Sequence, residues 1–458
     1  MFFDPGPKSL YIHIPFCKKK CSYCDFFSIA CDTDVPDTRS GLRAFGAATG
    51  MSQKSAACGA EGSFIDNILE ETVNQIIYFK NLLSIDLIDT IYIGGGTPSA
   101  IDEKRLEEFI QTVALMYNEP KEFSIEVNPE TVTLGLLEML NRTPVTRISL
   151  GVQSFNQKML DTLGRNCTAE SVYNALELLK NSSLARFTRG IAPLSTSSLG
   201  HVQALLARDS RLFGRCPCKH VPFGFGFDAT LAPFGNKKLS IDLISSIPGQ
   251  TVEEALADVT TALSFKPEHI SLYYLTLEEG TPMHRKFTEE DQDDKCWVEA
   301  CELLKSSGYD HYEISNFCLP GNECLHNAGY WKMEPYIGCG LSAVSTFYSE
   351  GSFWRFSATD NPALFLEGEK SLWGMKKEII SNRDFLIELL MMGLRTKEGV
   401  NIREIGDFFN IDIEKTLKPL ILEWKKKGLA ALSGHKLALT QKGRYFHTTF
   451  LLAVLEYI

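Results

Sequence analysis

Short apolar runs alternate along the chain with longer stretches in which apolar residues recur every three or four positions. Leu10–Ile14 is β-prone and ends at Pro15. Phe64, Ile65, Ile68, Leu69, Val73, Ile76, Ile77 and Phe79 then predict a helix from about Ser63. The pattern continues as strand 89–93, which runs into Gly94-Gly95-Gly96, then helix 103–117, strand 122–127, helix 134–141, strand 147–152 and helix 169–179. It resumes at Lys238 with strand LSIDLI, helix 252–264, strand 269–276 and an amphipathic helix over 290–306. Short, nearly all-apolar strands alternating with helices predict an α/β fold: a parallel sheet with helices outside. Right-handed crossovers let such a sheet curl into a full or partial barrel, with ligands gathered at the carboxyl ends of the strands. The first strand ends at a cysteine-rich loop and the second at the triple glycine, so both motifs belong to one rim.

Two stretches break the pattern. Residues of about 30–62, rich in Gly, Ala, Ser and Thr, and 182–236, shifted towards Arg, Pro, Gly and Phe, read as insertions expected to be poorly ordered. Cys216-Pro-Cys218 has no partner pair nearby, so two free thiols in a loop are favoured over a metal half-site. From about Ser381, stretches 383–394, 401–408 and 413–426 predict three short helices, followed by a β-like 429–439 bent at Gly434. Three helices and a hairpin make a winged-helix-like module. Its usual association with DNA is analogy only, and a structural cap is the expectation here. The division expected is a core of 1–280, an accessory segment of 281–380 and a C-terminal domain of 381–458.

Composition narrows the picture. A chain of 458 residues buries a full core, and its net charge of −11 argues against a nucleic-acid surface. No apolar run reaches the length of a membrane span, and the N-terminus lacks the layout of a signal or transit peptide. Thirteen scattered cysteines do not make a disulfide framework, and a reducing cytoplasm is the better fit.

Chemistry begins in YIHIPFCKKKCSYCDFF (Tyr11–Phe27), where Cys17, Cys21 and Cys24 stand at i, i+4 and i+7. Three thiolates on one loop can ligate three irons of a cubane and leave the fourth open to an external chelator. A structural zinc site would want a fourth protein ligand, and incidental buried thiols are the bland alternative. The C-x3-C-x2-C spacing resembles that of the radical S-adenosylmethionine (SAM) superfamily. The longer phrase resembles the branch holding oxygen-independent coproporphyrinogen III oxidases and HemW heme chaperones.

That resemblance implies a partial (β/α)6 barrel, a 4Fe–4S cluster on Cys17, Cys21 and Cys24, and bound SAM. Carried across position by position, the SAM contacts would be Tyr11, Tyr23, Gly95, Gly96, Thr97, Glu126, Gln153, Arg165, Asp242 and Thr276. Glycines let backbone approach a ligand without a Cβ in the way, Glu126 stands where a carboxylate accepts from ribose, and Arg165 can pair a carboxylate. Asp242, inside an apolar strand, needs a partner if buried. Within the branch, coproporphyrinogen oxidases resemble C-x3-C-x2-C-x-C with a longer N-terminal extension. Here Phe26 takes the fourth cysteine's place and sixteen residues precede Cys17. His326-Asn327-x-x-Tyr330-Trp331 resembles the H-N-x-x-Y-W signature of HemW proteins, which implies heme contact at His326. Two turns depart from the family pattern: Gly340–Ser345 lacks its histidine, and Ser245–Thr251 reads SSIPGQT. The function implied is a heme chaperone that binds cluster, SAM and heme and passes heme to acceptor proteins. The alternative is an oxidase decarboxylating coproporphyrinogen III, or another tetrapyrrole-modifying enzyme.

Overall fold

The computed structural model describes residues 6–30, 61–117, 119–184, 237–349 and 351–458. Both expected insertions fall almost wholly outside that set, as does Cys216-Pro-Cys218. Six strands form the centre of one sheet in chain order: β1 (Ser9–Ile14), β2 (Thr90–Gly95), β3 (Glu122–Val127), β4 (Arg147–Gln153), β5 (Lys238–Ser245) and β6 (His269–Tyr274), all parallel. The strand after the second insertion keeps its place: β5 pairs with β4 through Ser149↔Ser240 and with β6 through Asp242↔Ser271.

Six further strands, absent from the sequence expectation, extend the sheet. They are β7 (Asp310–His311), β8 (Asn316–Cys318), β9 (Tyr336–Cys339), β10 (Val344–Ser349), β11 (Ser352–Ser357) and β12 (Lys376–Ile380). The order is β12-β11-β10-β9-β1-β2-β3-β4-β5-β6-β8-β7, and β9 adds a seventh parallel strand beside β1. Among the described residues the sheet stays open, with β12 and β7 at its edges. Helices α1 (Glu61–Leu83), α2 (Glu103–Ala114), α3 (Leu134–Asn141), α4 (Gln157–Thr162), α5 (Ala169–Leu184), α6 (Val252–Ser264) and α7 (Asp294–Ser306) follow the strands as crossovers. Of these only α4 was not expected. Boundaries follow side-chain chemistry: Asp102 caps α2, and Thr251 with Glu254 forms a capping box on α6.

The C-terminal region is helical, with the expected hairpin 430–439 turning at Gly434 and a third short strand at Val400–Asn401. The single helix expected over 413–426 is two, Ile413–Thr416 and Lys418–Lys426, because Pro419 sits in the first turn of the second. No helix among the described residues is long and apolar enough to cross a membrane.

The parallel strands are not the near-continuous apolar runs that were expected. They alternate over most of their length. Leu10, Ile12, Ile14, Ile91, Ile93, Phe123, Ile125, Ile148, Leu150, Ile241 and Ile270 are buried in the main core under the helices. The opposite face carries Ser9, Tyr11 and His13 on β1, Thr90 and Tyr92 on β2, and Glu122, Ser124 and Glu126 on β3. It continues with Arg147 and Ser149 on β4, Ser240 and Asp242 on β5, and His269, Ser271 and Tyr273 on β6. A parallel sheet with one polar face differs from the usual kind, whose strands are apolar on both faces under covering helices.

Five buried histidines, His13, His269, His311, His326 and His447, are held below their ordinary titration range by burial. His311 and His447 lie at about 4 and His326 at about 3. Such rings stay neutral in the folded chain and take up protons once it unfolds, so stability is full above the unfolded value and falls as pH drops from about 6.5 towards 4. Calorimetry across that window is expected to show Tm falling steadily, equivalent to at least ~3 kcal/mol. A flat profile would mean that these rings are not buried as described.

Candidate functional site

The loop after β1 is fixed by backbone hydrogen bonds to three distant segments. Gly96 N donates to Ile14 O at 2.8 Å and Thr97 N to Phe16 O at 2.7 Å. Ser22 N donates to Leu163 O at 3.0 Å, and Met283 N to Ser22 O at 3.0 Å. The loop therefore holds Cys17, Cys21 and Cys24 against the carboxyl ends of the strands. All three are free and half-buried, whereas the other described cysteines are fully buried. Burial pushes the Cys17 thiol up and the Cys24 thiol to about 11.

Two donors address the sulfurs. Thr97 Oγ1 donates to Cys17 Sγ at 3.6 Å and Arg165 Nη1 to Cys21 Sγ at 3.5 Å. Among the described residues no three such side chains converge on a single ion, as a zinc site would require. A cubane takes each thiolate on a separate iron, so three half-exposed thiols spaced along one anchored loop fit its demand. Arg165 is buried and held by Gly151 O at 2.9 Å and Asn128 Oδ1 at 3.2 Å. Its Nε has no hydrogen-bond partner among the described residues.

The Gly94–Thr97 turn is shaped by what surrounds it. Gly95 has φ +105°, a conformation open to glycine and strained for other residues. A Cβ on Gly96 would lie 2.7 Å from both Ile14 O and Phe16 O, backbone atoms of the cysteine loop. Gly96→Ala is therefore expected to push that loop away, at ~2–4 kcal/mol, and to reduce iron uptake several-fold. A variant with unchanged Tm and iron content would show that loop and turn are not in register.

Behind the turn, Glu126 accepts from Tyr92 Oη at 2.9 Å and Gly95 N at 3.1 Å. Burial raises its carboxyl to about 7, opposed by the Tyr92 hydrogen bond and reinforced by the charge of Asp242. Asp242 is also raised by burial and accepts from Ser149 at 2.8 Å. Gln153 closes β4 after a register shift, with φ +64°, and its amide lies with Asn128 over Gly151. Tyr23 packs with Met159, Leu163 and Met283, close enough to Arg165 and Cys21 to feel their charges. Tyr11 donates to His13 Nδ1 at 3.0 Å while His13 Nε2 donates to Phe27 O at 2.9 Å, tying the inner face to the far end of the loop. Thr276 is exposed beyond the end of β6.

His326 stands elsewhere. It lies on α8 (Leu325–Trp331), which covers the opposite, amino-terminal end of the strands. Its Nδ1 meets Thr90 Oγ1 and its Nε2 Tyr330 Oη, both at 2.8 Å, and its ring stacks on Tyr92 with centroids 5.1 Å apart. The ring is 1 % exposed with both nitrogens engaged, so iron ligation from this position would first break one of those bonds. Glu122 receives the N–H groups of Leu325 and His326, each at 3.2 Å, and pairs with Arg147 at 3.1 Å. Arg147 donates in turn to Asn322 O and Glu323 O. Tyr92, Asn128, Ser149 and His13 were not singled out from the sequence, although period-two alternation on the strands would have placed all but Asn128 on the inner face.

A family model described as the Radical SAM superfamily matches residues 11–206, and one described as the HemN C-terminal domain matches residues 380–446. The heme chaperone HemW of Haemophilus influenzae is 29% identical over 409 residues, covering 88% of this chain and 86% of its own. That of Lactococcus lactis is 28% identical, covering 95% and 94%. That of Escherichia coli is 28% identical, covering 79% and 76%. The solved structure of the E. coli coproporphyrinogen III oxidase HemN, a radical SAM enzyme, matches with a TM-score of 0.67 at 18% identity, covering 99% of this chain and 91% of that one. At that identity the likeness speaks for the fold. The chain thus carries a radical SAM superfamily match over residues 11–206, which implies a 4Fe–4S cluster and SAM, and a HemN C-terminal domain match over 380–446, and it is similar along most of its length to heme chaperones named HemW.

Proposed function

We propose that this protein is a heme chaperone of the HemW type, which binds a cluster, SAM and heme and hands heme to acceptor proteins in a reducing cytoplasm. The observation that carries the reading is the set of relatives named HemW that match along most of both chains. Cys17, Cys21 and Cys24 would hold the cluster. The Gly95–Thr97 turn, Glu126, Gln153, Arg165 and Asp242 would seat SAM at the same rim, with Tyr11, Tyr23 and Thr276 at its margins. When bound, the pair supplies one-electron chemistry at an open iron.

The chain's own residues do the rest. Arg165 sets a buried cation beside Cys21 and donates to its sulfur at 3.5 Å. Tyr92 and Gly95 N hold the Glu126 carboxyl towards the turn, where it can accept from hydroxyl groups. Hemin titrated anaerobically into the cluster-loaded protein is expected to develop a Soret band saturating at one equivalent. Absence of that band, or conversion of coproporphyrinogen III by the same preparation, would overturn the reading.

A further inference from the structure

Heme iron takes its protein ligand from an accessible histidine, cysteine, methionine or tyrosine. Among the seven described histidines, His13, His269, His311, His326 and His447 are buried. His435 is exposed, but its Nδ1 engages Glu414 at 3.0 Å and its Nε2 meets Arg403 at 3.2 Å. That leaves His284, exposed, as the one described histidine whose ring has no hydrogen-bond partner among the described residues.

Its position is informative. Residues 281–287 form a tight turn, in which the backbone N–H of Phe287 donates to Met283 O and that of His284 to Thr281 Oγ1. Met283 is 1 % exposed, packs with Tyr23, and donates its N–H to Ser22 O between Cys21 and Cys24. The turn is thus fastened to the cysteine loop, and His284 with Arg285 and Lys286 is left on the outside next to it. On the loop itself Lys18, Lys19 and Lys20 are exposed, and Phe26 is 61 % exposed. Consecutive cations stand on both of the joined loops, in a chain of net charge −11, with an exposed imidazole on one loop and a largely bare aromatic ring on the other. The exposed carboxylates of Asp25, Glu278 and Glu279 border this surface.

We infer that His284 is the axial ligand of a heme carried on the outer edge of the cysteine loop, its propionates paired by Arg285, Lys286 and the loop lysines and its macrocycle packed on Phe26. The inference rests on the heme-chaperone reading and names that heme's site. A ring held by one imidazole at an exposed edge keeps its other face open to an acceptor's ligand, so heme can be passed on by exchange at the iron. It also gives Phe26 a task at the position where the oxidase pattern has cysteine.

The test is hemin titration of the full, cluster-loaded chain, followed by Soret absorbance and electron paramagnetic resonance. Variants are His284→Ala, His284→Met, His326→Ala and the Arg285→Glu/Lys286→Glu pair. His284→Ala is expected to weaken hemin binding by roughly tenfold or more, with added imidazole restoring the spectrum. His284→Met should shift both Soret and resonance signals, because the iron's ligand has changed. The charge-reversed pair should weaken binding by roughly threefold or more and leave the spectrum unaltered. His284 is exposed, so folding is not at stake, and His326→Ala should keep the wild-type spectrum in whatever fraction remains folded. If wild-type chain binds hemin and His284→Ala binds it equally with the same spectrum, the inference is overturned and the chaperone reading stands. If the spectrum changes only in His326→Ala, the inference is likewise overturned. If wild-type chain gives no Soret band, both fall.

Discussion

Replacing Cys21 with Ser is expected to strip the protein of its iron. Anaerobic reconstitution of the wild-type chain should give about four irons and a broad charge-transfer absorbance, and the variant should retain less than a tenth of either. Cys21 is the informative position because its loop is held by bonds that the substitution leaves in place. Ser22 N still reaches Leu163 O, Met283 N still reaches Ser22 O, and Arg165 keeps Gly151 O and Asn128. The hydroxyl remains a hydrogen-bond acceptor for Arg165 but is a poor ligand for a soft iron–sulfur centre. Thermal unfolding of the metal-free forms should therefore coincide within a degree or two while their iron contents diverge. A variant that loads iron like the wild type would remove the cluster, and with it SAM, from the account of this site.

Glu122→Ala is expected to be the most damaging single change to stability, at ~3–5 kcal/mol. It strands the Arg147 guanidinium, whose side chain is 2 % exposed, and takes the acceptor from the Leu325 and His326 N–H groups at the start of α8. Burial alone would lift the Glu122 carboxyl. Arg147 and those N–H groups more than reverse this and hold it below its ordinary value. The contribution is thus full above the unfolded carboxyl's titration near 4.3 and is lost as pH falls through the lower folded value. Chemical denaturation at pH 7 measures the effect, and an Arg147→Met change added to Glu122→Ala should restore part of it, since two absent charges cost less than one left unpaired. If the two changes add simply, the pair is not coupled and the geometry at this end of the sheet is misread.

Much of this was legible in the sequence, for reasons that differ from element to element. The six parallel strands and their helices announced themselves because apolar spacing changes from one period to the other at each turn, and Asp102 and Thr251 mark helix starts in plain sight. The cysteine loop was legible because chemistry dictates its spacing. What escaped was the inner face. Reading SLYIHI or EFSIEV as apolar runs overlooks that Ser9, Tyr11 and His13, or Glu122, Ser124 and Glu126, all project to one side. Strands β10–β12 escaped because their pairing partners are set by tertiary contacts. His326 illustrates a different limit. A histidine among aromatics looks the same in sequence whether it waits for a ligand or is already bonded at both nitrogens, and burial with its partners distinguishes the two.

The stapling of the cysteine loop bears on how the protein comes to be made. Its three anchors lie at Gly96–Thr97, Leu163 and Met283, so the pocket that presents the thiols does not exist until well over half the polypeptide has left the ribosome and docked. Iron and sulfide delivered earlier would meet only a tether bearing loose thiols. On the proposed reading the cluster is therefore loaded after folding, into a metal-free protein held together by its own packing.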